Sequence, residues 1–185
     1  MIEFRPDYGK ALEAILWLSS ARPGIDIYRL LKILFLADKE HLNRYGRPIV
    51  NQRYVAMVYG PVAETSYDIL RRKPRALAAL GVDTLPIRLK VDGRGKPIFV
   101  FPERQPNMRR FSKSDLKLLS ECLDRYGEMH FGALKALTHE HRAYKNAWAK
   151  RGTKGSIAMN FEDFLNTENQ DEETVAALEY ISRYA

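Results

Sequence analysis

Residues 30–50 read LLKILFLADKEHLNRYGRPIV, and residues 54–70, close behind, read YVAMVYGPVAETSYDIL. The first block is a helix by its periodicity. Ile27, Leu30, Leu31, Leu34, Ala37 and Leu42 fall on one stripe, and Ile33, Phe35 and Leu36 widen it until most of the circumference is apolar. That pattern belongs to a central, buried helix. Asp26 is placed to cap the first amides, Ile25 and Leu30 flank the cap as a hydrophobic staple, and Gly46 is a C-terminal stop. In the second block, 53–59 (RYVAMVY) reads as a short, half-buried strand. Gly60-Pro61 then turns the chain, and Pro61 or Val62 opens a helix over 62–71. Glu64 suits its positive end, and Tyr67, Ile69 and Leu70 supply its contacts.

Working outward, Tyr8, Ala11, Leu12, Ile15 and Leu18 predict a helix over 7–20. PIRLKV (86–91) and PIFVF (97–101) alternate around the glycine-rich turn DGRGK, which predicts a hairpin. Because a lone hairpin is marginal, it is expected to join 53–58 in one three-stranded antiparallel sheet. Ser112 and Asp115 form a capping box and Phe111 and Leu116 a staple, opening a helix over 112–126. Further short helices are expected at 130–138 and 141–150, and a last one at 171–184 with acids in its first turn. The expected class is α+β, predominantly α-helical, with a small antiparallel sheet of about three strands including a hairpin.

The chain has 185 residues, 45% of them hydrophobic and 29% charged. These values exclude a disordered chain, a collagen-like repeat and a disulfide scaffold. The one cysteine, Cys122, has no internal partner, and lies near the apolar stripe of its helix as a buried thiol. A lone thiol fits a reducing cytoplasm, the expected location. No apolar run approaches the ~20 residues of a membrane span, and MIEFRPDYGK lacks the apolar core of a secretion signal. The net charge of +7 hides an asymmetry: residues 155–185 carry seven acids against one base, so 1–154 stand at +13. We therefore expect a basic domain over 1–154 and an acidic helical extension over 155–185 packed on it, able to fold back over basic surface. A basic body attracts an acidic partner, nucleic acid or acidic protein, or serves solubility.

Catalytic constellations do not emerge. G-x-S-x-G, Walker A and G-x-G-x-x-G are missing from the sequence, and DGRGK sits in a hairpin without the helix that a phosphate loop requires. His139-Glu140-His141 places its histidines two apart, whereas helical zinc ligands sit four apart, so His139 reads as a capping or hydrogen-bonding residue and no metal is expected. Asp38 and His41 are spaced for a charge-assisted hydrogen bond. The bases are scattered over 71–75, 88–96, 104–113 and 142–154, with no single recognition helix. Nucleic-acid binding thus stays a rival reading, as does a metal hydrolase, which would need zinc.

The two opening blocks together resemble the Panacea domain, the SocA-type antitoxin or phage-associated family. The likeness rests on Leu31, Lys32, Leu34, Ala37, Asp38, His41 and Leu42 in the helix. It continues through Tyr45, Gly46, Pro48 and Ile49, then Tyr54, Ala56, Gly60, Pro61, Val62, Tyr67 and Leu70. Downstream, Ser112 and Asp115, the pair Thr138-His139 and Trp148 are similar too, so the likeness spans about 8–150. Phe35 stands where the family often has tyrosine and Asn51 where it often has glycine. The resemblance implies a non-enzymatic antitoxin that neutralises a cognate toxin, encoded by the adjacent gene, through direct protein binding. Some members deliver the toxin to a protease such as ClpXP, and others are prophage proteins of unassigned role. It implies no cofactor and no membrane. Arg47, Tyr59, Gly60, Pro61 and Glu64 are the expected partner-binding residues, and Lys32, Asp38, His41, Tyr67, His139 and Trp148 the scaffold.

Overall fold

A nineteen-residue helix, α2 (Ile27–Tyr45), forms the axis on which the other layers pack. The computed structural model describes residues 1–95 and 97–184. Asp26 caps α2 by accepting from the Arg29 amide at 2.8 Å, and Gly46 closes it in the left-handed conformation. Its buried set includes Leu30, Ile33, Leu34 and Phe35 on several faces, together with the polar Lys32, Asp38 and His41. Each fully buried aliphatic or aromatic side chain there is worth about 1.5–3 kcal/mol.

Helix α1 (Tyr8–Ala21) precedes α2. After α2 come α3 (Glu64–Leu70), α4 (Pro74–Leu80), α5 (Lys113–Tyr126), α6 (Phe131–His139), α7 (Arg142–Ala149) and α8 (Glu172–Tyr184). The capping box of α5 is formed in both directions by Ser112 and Asp115. Two antiparallel sheets complete the fold: β1 (Ile25–Asp26), β5 (Pro97–Pro102) and β4 (Ile87–Val91) in one, in that order. The other runs β3 (Gly60–Ala63), β2 (Tyr54–Met57) and β6 (Ser156–Ala158). The protein is a helix-dominated α+β fold.

Two expectations need correction. The 86–102 hairpin does not join 53–58. Its inner strand β5 pairs instead with the two residues that lead into α2, Ile25 opposite Val100, both buried. Within that hairpin Lys96, part of the expected DGRGK turn, lies outside the described residues. Gly60-Pro61 does not hand the chain from a strand to a helix. The turn is Val58-Tyr59, and Gly60 and Pro61 begin β3, which pairs Met57 with Gly60 and Tyr54 with Ala63 before α3 opens at Glu64. Proline is tolerated because β3 is an edge strand, where a missing amide costs no ladder bond.

The acidic C-terminal segment supplies β6 and two core rings. Phe164 lies 5.3 Å from Phe35 and 5.2 Å from Tyr54, centroid to centroid, and Phe161 packs edge-on against Phe4. Its carboxylates reach the amino terminus, through Glu162 and Glu179, and Arg142, through Asp163.

Candidate functional site

The polar residues of α2 sort into three separate centres. Asp38 and His41 do not bond each other, because each is saturated elsewhere. Asp38 accepts from the Ile49 and Val50 amides, both at 2.9 Å, and from Gln52 and the Tyr54 hydroxyl. It thereby fixes the loop that follows Gly46. Burial pushes its carboxyl up to about 6, against the pull of those four donors. His41 Nδ1 donates to the Arg47 carbonyl oxygen at 2.7 Å, and its Nε2 faces Ser114 Oγ and Asp115 Oδ1.

Asp115 is the hub of that second centre. It accepts from Lys10 Nζ and from the Arg47 guanidinium, both at 2.8 Å, as well as from the Ser112 amide. Burial by itself would raise its carboxyl, but the hydrogen bonds from His41, Lys10 and Ser112 and the Lys10 charge outweigh it. They hold the group far below the usual carboxylate range. Arg47 is thus tied to α5. Glu64 sits at the far end of β3 from Gly60, in ion pairs with Arg53 and Arg75. Tyr67, half-buried on the same helix, packs against the core.

The third centre gathers Lys32, Tyr59, Gly60, Pro61 and His139, with Trp148 reached through Tyr144. Lys32 is 1% exposed, and its ammonium donates to the Pro61 carbonyl oxygen at 2.6 Å while lying 4.8 Å from the centre of the Tyr28 ring. Burial pulls its pKa down to about 7. Gly60 has φ +103°, and a Cβ there would stand 2.9 Å from Lys32 Nζ and 3.1 Å from both Thr138 and His139. Only glycine allows the hairpin to settle so closely on the lysine. His139 neither caps a helix nor finds a partner for Nε2, which is buried and unpaired. Its ring lies 4.3 Å from Tyr144, whose hydroxyl donates to the Met57 carbonyl and whose ring stacks on Trp148. Burial, then the charges of Lys135 and Lys32, lower the His139 pKa.

Above this buried clamp lies an open aromatic surface. Val58 and Tyr59 are 56% and 57% exposed at the hairpin tip, and Phe131 is 45% exposed at the start of α6. Tyr28 packs on Phe131 at 4.5 Å and donates to the Tyr59 carbonyl, and Lys135 lies over the Tyr59 ring. Tyr28, Phe131, Lys135 and Tyr144 were not singled out in the sequence. Tyr28 stands one helical turn before Lys32, a spacing that could have shown it. The approach of α6 to the hairpin has no local signature.

Chemistry finds little purchase. Cys122 is buried and burial pushes its thiol up to about 12, well away from a reactive thiolate. His141 faces Phe35 and not His139, and burial holds it down to about 4. Among the described residues no group of three histidine, cysteine or acidic side chains is placed to hold a metal ion. None of the described helices is long and apolar enough to cross a membrane.

A family model described as Antitoxin SocA-like, Panacea domain, matches residues 30–145, well over half of the chain and nearly all of the three centres. No curated protein and no solved structure matches the chain.

Proposed function

Because the chain belongs to the SocA-like antitoxin family of Panacea domains, we propose that it neutralises a cognate toxin by direct binding. The toxin docks on the 58–59 tip and the adjoining side of α6. The supporting observation is the pairing of exposed Tyr59, Val58 and Phe131 with a backbone held rigid beneath them by Lys32. Tyrosine anchors on a preorganised support are what binding hot spots require, since little side-chain or loop entropy remains to be lost. Tyr59 is the anchor, Gly60 and Pro61 shape its support, and Arg47 and Glu64, held in ion pairs away from the tip, belong to a wider rim. The activity is binding and not turnover. The groups able to do chemistry, His41, Asp115 and Asp38, are engaged in holding the fold. The partner is the product of the adjacent gene, and the setting is the cytoplasm.

Co-expression with the neighbouring reading frame tests this reading. Growth should be restored and the two chains should purify together, and the double substitution Tyr59→Ala, Phe131→Ser should lose both effects with the fold intact. Toxicity unaffected by this chain, with no complex, would overturn it. Following the toxin's abundance separates simple sequestration, which leaves it constant, from delivery to a protease such as ClpXP, which lowers it.

A further inference from the structure

Four stretches of basic residues look scattered in the sequence, but the fold brings two of them together at the β1–β5–β4 sheet, a different sheet from that of the hairpin tip. The register places Arg88 opposite Phe101 and Lys90 opposite Phe99. Directly opposed residues share a face, so two cations and two phenyl rings alternate on the outer side. Leu89 and Val100, paired between them, point the other way, with Val100 buried. The Arg88 guanidinium lies 4.5 Å from the centre of the Phe101 ring, which in turn rests against Gly24, where a Cβ would come within 3.1 Å. Phe99 remains 39% exposed beside Lys90.

Strand β4 is the outer strand of this sheet, and the turn after α3 runs along its free edge. Arg72, at φ +52°, donates to the Ile87 carbonyl oxygen, and a groove of about 330 Å³ lies between Leu70, Arg71, Arg72 and Leu89. Arg71, Arg72, Lys73, Arg88, Lys90 and Arg94 are all exposed. Among the described residues none of the six has a carboxylate within ion-pair distance. Neighbouring Arg75 and Arg104 do, with Asp68 and Glu13. The acidic C-terminal segment spends its pairs on the amino terminus and Arg142.

We infer that this face binds single-stranded nucleic acid, the phosphates on the cations around β4 and the bases stacked on Phe99 and on the Arg88–Phe101 pair. Rings two residues apart on a strand stand ~6.6 Å apart and offer successive bases a platform. A guanidinium held flat on a ring presents a further stacking plane. Cations on an edge strand also deter strand pairing, but that role needs neither an exposed phenylalanine nor a groove. An acidic protein would use the charge and leave the rings idle.

Fluorescence anisotropy of the whole protein with labelled oligothymidylate, oligouridylate and a duplex tests this. Single strands should bind more tightly than the duplex. If four phosphates are neutralised, affinity should fall about 50-fold between roughly 50 and 200 mM salt. Arg88→Glu with Lys90→Glu should abolish binding. Phe99→Ser should weaken it about 5- to 100-fold without changing the salt slope. Arg71→Glu with Lys73→Glu, in the exposed turn, gives the same readout if either sheet variant misfolds. Absence of binding at low salt overturns the inference. So does equal binding of duplex and single strand with no effect of Phe99→Ser, or preference for a polyglutamate peptide. None of these substitutions should alter toxin rescue, so the two readings fail separately.

Discussion

The ammonium of Lys32 stands 2.6 Å from the carbonyl oxygen of Pro61, in the second strand of the β2–β3 hairpin. It joins a buried helix to an exposed aromatic tip. A substitution at the joint should therefore register in stability and in binding together.

Gly60→Ala should cost about 1–3 kcal/mol from its backbone conformation alone. The new methyl group would also crowd Lys32, Thr138 and His139. A lowered urea midpoint, with toxin affinity lost in parallel, is the expected result, and an unchanged midpoint would refute the tight approach.

Lys32 should give stability a distinctive pH dependence. Its pKa is about 7 in the folded protein and 10.5 for an ordinary lysine, so between those values the unfolded chain holds more protons. The lysine's contribution to stability should rise with pH across that window, by roughly 3–5 kcal/mol, and be constant on either side. Lys32→Met should flatten the profile. Urea titrations at a series of pH values read both slopes.

Asp115→Ala should cost about 3–5 kcal/mol, because Lys10, His41 and Arg47 would lose their shared acceptor. The carboxyl's folded pKa lies below its unfolded value, so its contribution is full above about 4 and is lost as pH falls below that. Acid unfolding of the wild-type protein should therefore be steeper than that of Asp115→Ala.

Asp38→Ala should strand two loop amides and take one acceptor each from the Gln52 amide and the Tyr54 hydroxyl. A loss of about 3 kcal/mol or more is expected, against about 1 kcal/mol for Tyr54→Phe, which removes a single donor. Hydrogen exchange at Ile49 and Val50 should quicken selectively in both.

Tyr59→Ala should leave the melting temperature nearly unchanged, since the ring is more than half exposed. Toxin affinity should fall about 30-fold or more, the ~2 kcal/mol of a hot-spot anchor. Isothermal titration of the purified pair reads this directly.

Local chemistry made much of this legible. Asp26, Gly46 and the Ser112–Asp115 box marked α2 and α5 almost to the residue, because caps act within one turn. The hairpin of 86–102 announced itself through its alternation. Gly60-Pro61 misled because glycine followed by proline usually punctuates. Here the turn fell on Val58-Tyr59, which carry no turn preference, and the glycine served a distant lysine. β1 and β6 are two and three residues long, too short for any periodicity, and their pairing is decided by the edges that β5 and β2 leave open. Lys32 entered through the family resemblance, and its hydrogen bond to Pro61 depends on chain folding across many residues.

Helix α2 is sealed beneath its neighbours, whereas the Val58-Tyr59 tip and Phe131 contribute little to the interior. Foldability and partner choice thus reside on different atoms. A handful of outward side chains could be exchanged, retargeting the molecule to an unrelated opponent, with the frame that presents them left untouched.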